Sequence, residues 1–443
     1  MSSQSSLWLF FNRIIGALAI DVTPLKASRD YRLLYTGQFV STFGTAISYV
    51  VLPLQVYQLT HSSFAVGMLG VAEFVPMLSL ALVGGALADA VNRQKLLIVT
   101  EIGLAAGCGA LVYNAVLPQP HLWVLYVAAA FFASLSALHR PAHEALTPRV
   151  VAPEHLPAVS VLNTLKYNFG HIAGPALAGI IAASFGPAIA FAIDGATYLV
   201  SLTTVMLMRA VPAPADADRP SLGSIVEGIK YARSRQELLG TYLIDINAMF
   251  FGMPFALFPA IAQQFGNASV GLFYAAPSVG ALLAGLTSGW TERIHRHGLA
   301  VTIAASVWGL AIVGFGLSNS LWLALLFLGL AGAADNISGI FRMTIWNQTI
   351  PDYLRGRMAG IEMVSYLSGP YLGNAEAGLV ASLLSLRTSV VSGGVLCVAG
   401  SAVLAVLLPK FISYDGRTGV AHKLEAETAR NNAITAKLQA QEE

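Results

Sequence analysis

Charge is what this chain most lacks. Asp, Glu, Lys and Arg make up 11% of its 443 residues, where a soluble globule carries about a quarter. With 56% hydrophobic residues and a mean hydropathy of +0.66, a water-soluble globule is excluded and a polytopic membrane protein is implied. Cysteine is nearly absent: Cys108 and Cys397 each lie in an apolar run with no partner spacing, which argues against a disulfide framework or a cysteine metal site. There is no H-E-x-x-H, no G-x-S-x-G and no G-x-x-x-x-G-K-[ST]. Those absences argue against an enzyme and against an ATP motor on this chain, so no catalytic residue, cofactor or metal is expected. The net charge of +2 is too small to argue for a nucleic-acid partner.

What the chain has is apolar length. Twelve stretches reach the roughly 20 residues a bilayer crossing needs: 31–59, 64–88, 96–117, 121–147, 157–183, 187–209, 238–264, 268–291, 298–317, 320–349, 357–384 and 388–411. The connections alternate in charge. Those after stretches 1, 3, 5, 7 and 9 contain no Lys or Arg, and the one after stretch 11 has only Arg387. Those after even stretches carry Arg93 with Lys95, Arg149, the group from Arg219 to Arg235, Arg293 with Arg296, and Arg355 with Arg357. By the positive-inside rule both termini and the even loops are cytoplasmic.

The stretch from Arg140 to Gly179 returns in degenerate form roughly two hundred residues later. HRPAHEALTPRV with GHIAGPALAG is echoed by FRMTIWNQTIP with LSGPYLG, so that Arg140 pairs with Arg342 and Pro148 with Pro351. VGMLGVAE and VGLFYAAP repeat in step as well. The chain therefore reads as two copies of a six-helix unit. Gly170, Gly174 and Ala178, like Gly369 and Gly373, recur every four residues and let another helix approach. Pro175 and Pro370 each remove a backbone donor and bend their helix.

These readings divide the chain into an interfacial amphipathic segment (1–30), a first half (31–210), a cytoplasmic linker (211–237), a second half (238–412) and a charged, solvated tail (413–443). The expected fold is an all-α membrane protein of twelve transmembrane helices in two pseudo-symmetric six-helix halves.

That arrangement resembles the major facilitator superfamily, and the motifs agree. GGALADAVNRQK is similar to the superfamily's signature between helices 2 and 3 at Gly85, Leu87, Asp89, Arg93 and Lys95, with Asn92 where a Gly is usual. GHIAGPALAG resembles its antiporter signature at Gly170, Gly174, Pro175 and Gly179, with Ala178 in place of a Gly. RPAHEALTP, AFAIDGATYLVS, VGLFYAAPSVGALLAGLTSG and PDYLRGRMAG resemble the branch that holds the bacterial enterobactin exporter and macrolide efflux proteins. The resemblance implies a monomeric exporter of the bacterial inner membrane, with a small-molecule substrate, protons and the lipid bilayer as partners. It also implies a cytoplasmic latch in which Asp89, flanked by Arg93 and Lys95, meets the start of helix 11 at Gly356 and Arg357.

Ionisable groups inside the spans are the second signal, because each is costly in lipid. Glu73, Asp245, Asp335 and Glu376 are the acidic candidates for proton coupling, with Arg140, Lys166 and Arg342 as counterions. Arg140 and Glu144, and likewise Asp335 and Arg342, share a helix face by spacing. Asp194 reads as an interhelical hydrogen bond, and Glu101 and Glu362 as part of the cytoplasmic polar layer. Tyr35, Phe39, Tyr167, Tyr242, Phe250, Phe251, Tyr366 and Tyr371 are expected along the cavity, suited to a bulky aromatic solute. The favoured reading is proton-driven export of a siderophore or drug-like compound. A nutrient importer on the same fold, and a membrane sensor, are its rivals.

Overall fold

The computed structural model describes residues 20–210, 230–351 and 354–417, and five further positions up to 428; side chains are described except at 81–90 and at eight positions between 355 and 364. The amphipathic reading of the N-terminal segment, most of the linker and nearly all of the tail lie outside the described residues.

The apolar stretches are helical in the main because a backbone in lipid satisfies its donors and acceptors internally. The helices are α1 (Arg29–Thr60), α2 (Ser63–Ala90), α3 (Arg93–Val116) and α4 (Leu122–Val150). Leu156–Met206 follows as one long run, but Gly186 interrupts it at φ 79° and ψ 172°. That conformation favours glycine, and Pro187 follows immediately. The arms 156–185 and 187–206 are α5 and α6. The second set is α7 (Gln236–Phe251), α8 (Ser269–Leu286), α9 (His297–Leu317), α10 (Leu321–Thr349), α11 (Arg355–Leu383) and α12 (Leu386–Leu407). Ten candidate spans stand among the described residues. The count of twelve follows from reading the run broken at Gly186 as two crossings and adding α11.

The seventh stretch is corrected. It is not one helix over 238–264, because α7 stops at Phe251 and the chain resumes as short turns at Phe255–Leu257 and Phe258–Ala262. Neighbours satisfy the backbone groups freed at the break, as burial in lipid demands. Trp308 Nε1 donates to the Gly252 carbonyl at 3.0 Å, Tyr274 Oη to Phe255 O at 3.0 Å, and the Ala256 amide donates to Asn374 Oδ1 at 2.9 Å. Stretch eight also ends early, at Leu286, with a 3-10 turn over Ser288–Arg293.

Arg387, the one basic residue on the otherwise Lys- and Arg-free end, is consumed by structure. Its guanidinium donates to Gly316 O (3.1 Å), Leu317 O (3.0 Å) and Asn319 Oδ1 (3.2 Å). It caps the negative end of α9. Asn92, at the position where glycine was expected, is the N-cap of α3 and accepts from the Lys95 amide at 3.0 Å. The start of the tail is docked rather than solvated. Phe411 is fully buried, and Tyr414 is 9% exposed. Tyr414 Oη donates to Gln348 Oε1 at 3.1 Å, and the Gly416 amide donates to His295 O at 2.9 Å.

Candidate transport pathway

The two sets of helices meet through their glycines near the Lys- and Arg-poor end. On one side α2 lies against α11: a Cβ on Gly67 would come 2.5 Å from the Asn374 carbonyl oxygen, and one on Gly378 2.5 Å from that of Ser63. On the other side α5 lies against α8, where a Cβ on Gly179 would come 2.5 Å from Ala268 O and 2.9 Å from the Gly271 nitrogen. Tyr49 of α1 and Tyr274 of α8 close the same level edge to face, ring centres 5.5 Å apart. The Gly170, Gly174, Pro175, Gly179 motif thus has two partners. Gly170 and Gly174 abut Thr42 and Ala46 of α1, while Pro175 and Gly179 abut α8. Gly369 and Gly373 repeat this on α7, against Met249 and Phe250.

Below that closure, side chains that lipid would reject are exposed. Arg140 and Glu144 are joined at 2.9 Å, with 73% and 65% of their side chains exposed. Tyr167 and Tyr366 are 60% and 59% exposed. Asp335, 40% exposed, lies 3.4 Å from Arg342. Lys166 Nζ stands 6.0 Å over the Tyr35 ring, and Tyr167 packs on His171 at 4.1 Å. Glu73 and Glu376 are half-buried on α2 and α11. Charged and tyrosyl groups at mid-span without burial describe a polar cavity between the helix sets.

Asp245 and Arg342 belong elsewhere. They form an ion pair with side chains 8% and 5% exposed, packed inside the second helix set. Tyr242, expected along the cavity, is also a core residue, 5% exposed and stacked on Trp346 at 5.6 Å. Phe39 stacks on Phe169 at 6.1 Å, and Phe250 meets Phe251 edge to face at 5.0 Å.

Arg140 and Arg342, matched by the sequence repeat, differ in burial: 73% of the Arg140 side chain is exposed and 5% of that of Arg342. Glu101, read from sequence as part of a cytoplasmic polar layer, is 0% exposed and belongs to a buried polar cluster. Its Oε1 accepts from Ser201 Oγ (2.6 Å) and Gln38 Nε2 (3.0 Å) and lies 3.0 Å from His139 Nε2. The spacing rules that exposed Asp335 and Arg342 act within one helix, whereas the four residues here come from α1, α3, α4 and α6. Asp194 is the interhelical hydrogen-bonding group expected of it, 1% exposed and bonded by Ser48, with Cys108 Sγ at 3.5 Å.

The latch is only half in view. The side chains of Gly85, Asp89, Gly356 and Arg357 lie outside the described residues; Arg93 Nη1 donates to the Ala145 carbonyl at 3.0 Å and Lys95 sits in the first turn of α3.

Comparison with known proteins bears on this geometry. The profile of transmembrane secretion effectors matches residues 20–429. The chain belongs to that family, within the major facilitator superfamily. It is 28% identical to the enterobactin exporter EntS of Citrobacter koseri over 398 residues, covering 88% of this chain and 94% of the relative. The same named exporter of Shigella boydii serotype 18 matches at 28% over 399 residues, with the same coverage. Among solved structures, a POT family transporter in complex with 5-aminolevulinic acid superposes with a TM-score of 0.70 at 12% identity, covering 87% of this chain and 97% of that one. A bacterial homologue of the lysosomal transporter Spinster, in an inward-facing and unoccupied conformation, superposes at 0.65 and 13%, covering 89% and 97%. These structures establish the family's fold for this chain.

Proposed function

We propose that this member of an efflux family exports a siderophore or a hydrophobic drug-like compound across the bacterial inner membrane by alternating access, in exchange for protons. The observation that carries the reading is the polar mid-span cavity of Arg140, Glu144, Asp335, Tyr167 and Tyr366, beneath helix ends that meet through glycine. Two six-helix halves, 31–210 and 238–412, rock about that cavity, with both termini cytoplasmic. The tyrosines offer aromatic surface to a bulky solute, while Arg140 and Lys166 offer charge to its anionic groups. The named activity of the EntS relatives supports a siderophore among the candidate cargoes. Glu73, Asp335 and Glu376 are the acids that face or border the cavity, and Asp335 is the one to neutralise first. Secretion by cells carrying Asp335→Asn falls at least tenfold if this acid couples transport, and stays at the parent level if it does not. Loss of nutrient uptake on removing the protein would establish the importer instead.

A further inference from the structure

The cavity holds one cation that no carboxylate neutralises. Of the three cations read from sequence as counterions, Arg140 is spent on Glu144 at 2.9 Å and Arg342 on buried Asp245. Lys166 of α5 has no ion pair among the described residues. What it meets instead is the face of the Tyr35 ring on α1, 6.0 Å from Nζ. Lys166 is partly buried and lies about 20 Å of helix below Gly179, well inside α5. An ammonium at such depth is costly unless an anion accompanies it, and a contact with one ring face offsets only part of that cost.

The ring beside Lys166 is held in place. Tyr35 Oη donates to the Leu162 carbonyl at 3.1 Å, one turn before Lys166 on the same helix. Tyr35 continues into Phe39, ring centres 6.2 Å apart, and Phe39 stacks on Phe169 of α5 at 6.1 Å. Phe169 is 57% exposed and Tyr167 60%, so aromatic surface next to the ammonium is open. We infer that Lys166 selects cargo by charge: the site between α1 and α5 takes a solute that carries an anionic group beside an aromatic ring. The anion sits on Nζ, and the ring lies on the surface of Tyr35, Phe39 and Phe169. An ammonium is a compact charge with three rotatable donors, so a carboxylate, a sulfonate or a phenolate fits it equally.

The other charged groups leave an anion one place to go. Arg140 acts electrostatically on Tyr167, but its guanidinium is bonded to Glu144. Asp335 of α10 acts on Tyr167 from the opposite wall and is held by Arg342 at 3.4 Å. Glu73 stands at the closure, acting on Tyr49 and Tyr371, and Glu376 lies between Gly373 and Gly378 at the same level. His143 of α4 feels the Lys166 charge and adds no acid to it. A cationic solute therefore meets repulsion at α5, where an anionic one meets a donor without a partner.

As a statement about cargo this assignment rests on the export reading; as a binding site it does not. The test uses the purified full-length protein in phosphatidylcholine nanodiscs at neutral pH. It is titrated with carboxyfluorescein, an anionic aromatic probe, and with ethidium, a cationic one, and binding is read by fluorescence polarisation. The parent is expected to prefer carboxyfluorescein. Lys166→Met is expected to weaken that binding by about tenfold or more and to leave ethidium held as well or better, while Lys166→Arg retains carboxyfluorescein. Glu144→Gln, which unpairs Arg140, is expected to tighten it. A parent that holds carboxyfluorescein no more tightly than ethidium overturns the site. So does a folded Lys166→Met that binds carboxyfluorescein as the parent does, or that loses both probes equally; should that variant not fold, Lys166→Gln reads the same loss. Export of carboxyfluorescein from loaded vesicles runs alongside. Export by the parent that is lost in Lys166→Met makes Lys166 the selectivity residue of transport. If the parent binds carboxyfluorescein through Lys166 and never moves it, the export reading fails and the site stands.

Discussion

At the scale of single residues, burial decides what each charge does. Arg342 is 5% exposed and balanced by Asp245, so Arg342→Ala leaves a buried carboxylate without its partner. Breaking such a pair costs about 3 to 5 kcal/mol. The midpoint of unfolding of the purified variant drops accordingly, and Arg342→Met with Asp245→Leu recovers most of the loss; an unchanged midpoint for Arg342→Ala contradicts the pairing. Asp415, beyond the last span, behaves oppositely. Hydrogen bonds from Arg417 hold its carboxyl below the usual carboxylate range. A lowered value stabilises the ionised, docked tail above the ordinary pKa of about 4, and the stabilisation is lost only as pH falls through the lowered value. Intrinsic-rate-corrected hydrogen exchange at Gly416, whose amide bonds to His295, is expected to stay constant from neutrality to about pH 4 and rise below it. Of these residues, the pairs within one helix, Arg140 with Glu144 and Asp335 with Arg342, were readable from spacing. Asp245 with Arg342, and Glu101 with His139, were not, because their partners are far apart in sequence and no local rule joins them.

At the scale of helices, closeness is set by glycine. A side chain on Gly271 collides with Gly179 and with the Pro175 carbonyl, so Gly271→Leu forces α5 and α8 apart. By contrast Gly109 of α3 has nothing within 4 Å of an added Cβ. Gly109→Ala is expected to stabilise by about 0.5 to 1 kcal/mol, since alanine is the better helix former. Unfolding of the two variants under one protocol checks both signs, and a Gly271→Leu protein as stable and as active as the parent contradicts the seal. The helices themselves were legible, since hydropathy over about 20 residues is the strongest signal a membrane chain carries. Two details were not. The break at Gly252–Pro254 lies inside an apolar run and is tolerated because Trp308, Tyr274 and Asn374 satisfy it. The junction at Gly186 looks like a loop in sequence, yet the helical run continues on either side of a single residue.

At the scale of the whole molecule, the account requires the Lys- and Arg-poor ends to open and close. Tyr49 and Tyr274 face each other across the closed ends, and the native cysteines are both buried. A Tyr49→Cys, Tyr274→Cys protein is expected to crosslink under mild oxidant, lose export, and regain it on reduction. Export that continues through the crosslinked form contradicts alternating access. The long apolar stretches and the family motifs made the helical membrane fold readable from the sequence. The cargo was not readable, because the cavity's charge and aromatic surface fit more than one bulky solute. The most direct measurement is therefore the metabolite content of medium and extract from iron-starved cells with and without this protein, with Asp335→Asn alongside. The account predicts that an iron chelator, or failing that a panel dye, leaves the cell only with the intact chain and is retained with the variant. Identical media with and without the protein, together with lost uptake of a nutrient, would contradict it.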